Sequence, residues 1–137
     1  MIIVSACLAG VKCRYDGKDN ANSKVIKLVV NGIAIPICPE QLGGLQTPRI
    51  PAEISGDKVL NKKGENVTSQ FKKGAKETLR IAELVNCHKA ILKQSSPSCG
   101  YGKIYDGSHT GRIIDGMGLT AQLLSQKGIV ILTEEDL

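Results

Sequence analysis

Four short runs of apolar, mostly branched residues punctuate the chain: Met1 to Ser5, Ile33 to Ile37, Ala90-Ile91-Leu92 and Ile129-Val130-Ile131-Leu132. Each is too short for a helix, and none shows the strict polar alternation of a half-wet strand, so they read as strands buried on both faces. Segments with helical spacing lie between them. Lys24 to Val29 follows a capping Asn20 or Asn22 and stops before Gly32, which suits a C′ position. The strongest helical signal runs from about Gln70 to Asn86, with Phe71, Ala75, Thr78, Leu79, Ala82, Leu84 and Val85 on one face and a cap at Thr68 or Ser69. Lys72, Lys73, Lys76, Glu77 and Arg80 form its wet face. Met117 to Gln126, closed by Gly128, is the last helix. Strands alternating with helices imply right-handed crossovers and a parallel sheet covered on both faces. The predicted fold is a compact Rossmann-like three-layer α/β domain with a mostly parallel sheet, spanning residues 1–137 as one unit.

Three further segments are read locally. Residues 43–51, rich in Gly and Pro, cannot be helical. Val59-Leu60 and Asn66-Val67 are expected to pair as a small hairpin across Lys62 to Glu65. Tyr101 to Asp115, rich in Gly and polar residues, is expected to be a long functional loop.

In a parallel α/β sheet, ligands bind outside the carboxyl ends of the strands. Cys7, Cys38 and Cys99 each stand at or just after such an end, the last within the small-residue turn Ser95-Ser96-Pro97-Ser98-Cys99-Gly100. No apolar run approaches the roughly 20 residues of a membrane span, and Ile2-Ile3-Val4 is preceded by Met1 alone, without the basic and long apolar parts of a signal peptide. A cytoplasmic chain is therefore expected. In a reducing compartment five cysteines, an odd number, point to metal binding or catalysis rather than disulfides. Three thiolates from three loops hold a metal centre with one position open; a structural zinc takes four ligands, often in C-x-x-C pairs, and no such pair occurs here. The residues alone leave an iron–sulfur cluster, a catalytic zinc and plain buried cysteines open. Cys13, six residues after Cys7, could be a fourth ligand but reads rather as a free thiol near the site, and Cys87, beside His88, as a helix-end packing residue.

The net charge of +5, from 18 basic and 13 acidic residues, favours an anionic partner, but the lysines are scattered. With no Trp and one Phe, an aromatic platform for single-stranded nucleic acid is not favoured. Arg14, Tyr15 and Asp16 are candidate ligand contacts, although a surface turn explains them nearly as well, Arg49 is a candidate anion contact, and His109 is expected to face solvent.

Val4-Ser5-Ala6-Cys7-Leu8-Ala9-Gly10, Cys13-Arg14-Tyr15-Asp16-Gly17, Cys38-Pro39-Glu40, Gly44-Leu45 with Pro48-Arg49, and Ser96-Pro97-Ser98-Cys99-Gly100 together resemble the thiouracil desulfidases, in order and over almost the whole chain. The resemblance implies a [4Fe-4S] cluster on Cys7, Cys38 and Cys99, with one iron open. It also implies non-redox removal of sulfur from a small thiolated pyrimidine, with Glu40 and a serine of the last loop as the catalytic polar groups. Ser96, ahead of the rigid Pro97, is favoured for that role, and Ser98 is placed among the substrate contacts with Arg14, Tyr15, Asp16 and Arg49. Two other functions compete with this one: a zinc hydrolase using the same thiolates, and a non-enzymatic nucleotide- or RNA-binding module. No feature of the sequence speaks to oligomeric state.

Overall fold

The computed structural model describes residues 1–137, in the order β1 (Ile2–Ser5), α1 (Ser23–Val30), β2 (Ala34–Ile37), α2 (Pro39–Leu42), β3 (Ala52–Ser55), β4 (Lys58–Asn61), α3 (Thr68–Leu84), β5 (Lys89–Leu92), β6 (Tyr101–Tyr105), β7 (Ile113–Met117), α4 (Leu119–Gln126) and β8 (Val130–Thr133). The four runs that read as buried strands form one parallel sheet, ordered β2-β1-β5-β8. Ile3 sits between Ile35 on one side and Ala90 on the other, and Ala90 pairs in turn with Ile131.

Side-chain alternation divides the core into two layers. Ile3, Ile37, Ala90, Leu92 and Ile131 face α3 and α4, where they pack with Ala82, Ala121 and Leu124. Val4, Ala34 and Ile91 face the other way, onto Val25 of α1 and Leu8. The sheet is thus covered on both faces, in three layers. Each fully buried side chain of the size of Ile3, Leu92 or Leu124 contributes about 1.5–3 kcal/mol. No helix is long and apolar enough to cross a membrane.

Two antiparallel ribbons lie outside this sheet, and both differ from the expectations above. β4 pairs with β3 rather than with Asn66-Val67, in the register Ala52↔Asn61 to Ser55↔Lys58; Leu60 and Asn66 share only an isolated bridge. The turn sits at Gly56, whose φ of +64° favours glycine. The stretch 101–115 is not a loop: β6 and β7 pair from Tyr101↔Met117 to Tyr105↔Ile113. Its strands are mostly solvent-exposed on both faces, so no buried stripe marks them in the sequence. Met117 accordingly ends a strand, and the last helix begins at Leu119.

Helix starts follow local chemistry. Asn22 caps α1, its Oδ1 accepting from Lys24 N and Val25 N at 3.0 and 3.2 Å. Neither Thr68 nor Ser69 caps α3; the Asn66 side chain instead accepts from Thr68 N at 3.0 Å, while Thr68 Oγ1 accepts from Val59 N at 2.8 Å and ties the helix to β4.

Candidate active site

The sheet order changes direction at β1: the chain first adds β2 on one side, then crosses to β5 on the other. Such a switch point opens a crevice at the carboxyl ends, and each of its three strands leads into a segment that carries a cysteine: Cys7 two residues after β1, Cys38 directly after β2 and Cys99 seven residues after β5. Cys7 lies in a 3-10 turn, Ala6–Ala9, that follows β1 directly and is closed by Gly10 in the left-handed conformation at φ 90°. Cys38 follows β2 in extended conformation and is the N-cap of α2; Pro39 at the first helical position starts that helix and puts Glu40 in its first turn. α2 is seated on α3 where Gly43 and Gly74 meet. A Cβ at Gly74 would strike Pro39 O and lie 2.8 Å from Pro39 C, and one at Gly43 would strike Gln70 O, so only glycines allow this approach.

Cys99 is placed by the turn that precedes it. Ser96 Oγ accepts from Ser98 N and Cys99 N, both at 3.1 Å. The turn is fixed to the start of α4, whose first amides would otherwise lack acceptors. Leu119 N donates to Pro97 O at 3.0 Å, and Thr120 N and Ala121 N donate to Ser98 O at 2.8 and 3.1 Å. Gly118 makes room, since a Cβ there would lie 2.7 Å from Cys99 N.

Cys7, Cys38, Cys99, Glu40 and Ser96 line one cavity of about 840 Å³, and Cys13 joins them. Glu40 forms an ion pair with Arg49 at 3.6 Å, and Cys38 Sγ lies 3.9 Å from Glu40 Oε1 and from Cys13 O. Burial pushes the Glu40 carboxyl up from its ordinary pKa, and the Arg49 guanidinium opposes the rise. Burial likewise raises Cys7, against a hydrogen bond with Asn20, and raises Cys99, against one with Ser5. The neighbouring Cys13 side chain lowers Cys38, whereas Cys38 together with burial raises Cys13. The charges of Cys7, Cys38 and Glu40 are all felt at Cys99, so the groups share one electrostatic site. No three His, Cys, Asp or Glu side chains are close enough together to hold a single metal ion. Three soft sulfurs on one cavity are the donor type that an iron–sulfur cluster takes.

Arg14, Tyr15 and Arg49 line the cavity as expected, with Arg49 N donating to Tyr15 O at 2.7 Å. Two other expected contacts do not. Ser98 is fully buried, its hydroxyl paired with Thr120 Oγ1 at 2.7 Å, because α4 needs its carbonyl and turns its side chain inward. Asp16 is exposed and reaches Arg14 instead, at 3.1 Å, while Asn20 Oδ1 holds the other side of that guanidinium at 2.9 Å. Cys87 is buried in the layer beside α3 and α4, with Sγ 3.1 Å from Lys89 O, as a packing residue. His109 does not face solvent; its Nδ1 lies 3.6 Å from Glu53 Oε2.

The sequence reading passed over Lys93, Glu53, Asn20 and Ser5, all of which line the cavity. Lys93 is the first residue after β5, a position that marks it as a site residue in this fold. Its Nζ is held by Glu134 at 2.8 Å and by Gln94 O at 3.0 Å, and its amide donates to Ser5 Oγ at 2.8 Å. Glu53 carries no such signal, since only tertiary folding brings β3 to the cavity.

Comparison with known proteins agrees with this geometry. The protein YbbK of Bacillus subtilis (strain 168) is 45% identical over 147 residues, an alignment that covers all of this chain and 97% of YbbK. Among solved structures, the [4Fe-4S]-dependent thiouracil desulfidase TudS is 42% identical and superposes with a TM-score of 0.95, covering 99% of this chain and 91% of its own. Residues 2–136 match the family described as 2-thiouracil desulfurase, and the chain belongs to that family.

Proposed function

We propose that this protein hydrolyses a thiolated uracil, converting thiouracil and water to uracil and hydrogen sulfide, with a [4Fe-4S] cluster held by Cys7, Cys38 and Cys99. The observation that carries this reading is the meeting of those three thiols and Glu40 on one cavity at the switch point of the sheet. The likeness to TudS, a [4Fe-4S]-dependent thiouracil desulfidase, supports it. A cavity of about 840 Å³ lies within the usual range of roughly 300–1,000 Å³ for small-molecule sites and has room for cluster and base together.

When bound, the cluster supplies a Lewis-acidic iron, the one without a thiolate, for the thiocarbonyl sulfur. The chain's own groups do the rest. Glu40, next to Cys38 and ion-paired with Arg49, accepts a proton from the water that attacks the ring carbon. The water oxygen becomes the carbonyl oxygen of uracil, its two hydrogens leave with the sulfur, and no electrons are exchanged with a redox partner. Ser96 Oγ spends its lone pairs on Ser98 N and Cys99 N, which leaves its own proton free to donate into the cavity toward the base. Arg14, steadied by Asp16 and Asn20, and Tyr15 and Arg49 contact the pyrimidine edge.

The single α/β domain carries the whole activity. Five free cysteines, no disulfide and an oxygen-sensitive centre suit the cytoplasm. The partner is a small thiolated pyrimidine rather than RNA. Assay of anaerobically purified protein tests the proposal: sulfide release from 2- or 4-thiouracil is expected, and it is expected to vanish in Cys7→Ala, Cys38→Ala and Cys99→Ala. Normal turnover in all three variants would refute it.

A further inference from the structure

The two ribbons outside the parallel sheet meet over the cavity. Glu53 and Ala52 of β3 and Tyr105 of β6 all line it. One carboxylate joins them. Glu53 Oε1 accepts from Gly107 N at 3.0 Å and from His109 N at 3.2 Å, while Oε2 stands 3.6 Å from His109 Nδ1. These partners are more than 50 residues away in sequence, and the Glu53 side chain is only 11% exposed. No other hydrogen bond links the two ribbons.

Backbone fit accompanies the carboxylate. Gly107, at φ +94°, lies flat on β3, where a Cβ would come 2.7 Å from Ile54 O. The rest of the tip is held from within: Ser108 N donates to Asp106 Oδ1 at 2.9 Å, and Asp106 N donates to Arg112 O at 3.0 Å. The tip is therefore a preformed unit held to β3 by the Glu53 carboxylate and by the packing of Gly107.

We propose that Glu53 is a positioning residue of the desulfidase, clasping the β6–β7 tip against β3 and so holding Tyr105 and Ala52 as the wall that receives the substrate. The inference rests on the function proposed above. Without the clasp the tip lifts, Tyr105 withdraws from the cavity and binding weakens. The chemistry at Glu40, which is carried by α2 and not by either ribbon, keeps its geometry. Loss of the clasp is therefore read in KM and not in kcat.

The test combines amide hydrogen exchange with steady-state kinetics on anaerobically prepared, cluster-loaded protein, using 2- and 4-thiouracil as substrates and uracil as the bound probe. In Glu53→Ala, the amides of Gly107 and His109 are expected to exchange at least about tenfold faster, because charge-assisted hydrogen bonds of this kind are among the stronger ones. Amides of β1 and β5 are expected to be unchanged. KM is expected to rise about tenfold, with kcat within about twofold. Glu53→Gln, whose amide oxygen still accepts from both N–H groups, is expected to restore most of the tip protection and most of the KM. Uracil is expected to slow exchange at the tip of the wild type and not of Glu53→Ala. Should Glu53→Ala fail to fold, His109→Ala, which removes only the imidazole contact, is expected to give a smaller rise in KM and a smaller loss of protection. Tip exchange unaltered in both variants, or kcat falling with KM unchanged, would overturn the clasp. Absence of turnover in the wild type would instead contradict the desulfidase reading, and the exchange measurement would still decide whether Glu53 holds the tip.

Discussion

Replacing Gly74 by alanine tests whether the contact between α2 and α3 sets the position of Glu40. The added Cβ would strike Pro39 O and stand 2.8 Å from Pro39 C, which is 0.6 Å inside the 3.4 Å at which ordinary contact begins. The obstacle is backbone, so no side chain can rotate away; α2 must shift by at least 0.6 Å, and further to clear the oxygen. Two opposing terms set the stability change. Overpacking a tight contact costs about 1–3 kcal/mol, whereas alanine in place of glycine within a helix returns about 1 kcal/mol. A net loss of about 0–2 kcal/mol follows, so the variant should fold. Activity should suffer more, because displacements near 1 Å at a catalytic group cost up to about 100-fold in rate. Glu40 and Cys38 both ride on the start of α2. Gly74→Ala is therefore expected to lose at least about tenfold in kcat/KM for thiouracil while remaining folded by far-UV circular dichroism and urea titration. Wild-type kcat/KM together with equal or higher stability would show that the close approach does not position the site.

Glu40→Gln keeps the shape of the side chain and its place beside Arg49 but removes the proton acceptor. Turnover of thiouracil is expected to fall by about 10²–10⁴ while iron content stays at the wild-type level, as measured by sulfide release and iron assay on one preparation. Ser98→Ala separates folding from binding: it leaves the buried Thr120 hydroxyl without its partner at 2.7 Å and is expected to cost about 1–3 kcal/mol in urea unfolding, with KM for thiouracil within about twofold of wild type. A large rise in KM without loss of stability would return Ser98 to the substrate contacts.

The parallel sheet was legible because strands buried on both faces must be short and continuously apolar, and because the helices between them leave only crossover connections. From this followed the meeting of Cys7, Cys38 and Cys99, since the carboxyl ends of such strands share one edge. The β6–β7 ribbon was not legible. Apart from the buried Ile104 its residues are mostly exposed, with Gly102, Gly116 and Asp115 inside the strands, so neither apolar alternation nor propensity distinguishes it from a loop. The β3–β4 hairpin was misplaced for a related reason. Val59 and Leu60 read as a strand, but their partner lies on the N-terminal side of the turn at Gly56, in residues whose burial comes from tertiary contact. Ser98 shows the limit of reading side chains from a motif: the turn that aims Ser96 and Cys99 into the cavity sends Ser98 away from it, under α4. Glu53 and His109 are joined across 56 residues by no sequence pattern at all.

The most direct test of the central claim is metal and acid-labile sulfide analysis of the anaerobically purified protein, with Mössbauer spectra of iron-57-labelled samples, for the wild type and for each cysteine variant. Four irons per chain with the spectrum of a cubane are expected in the wild type, in Cys13→Ala and in Cys87→Ala, and loss of that iron is expected in Cys7→Ala, Cys38→Ala and Cys99→Ala. One zinc per chain with no iron, or an intact cluster in any of the last three variants, would contradict the account.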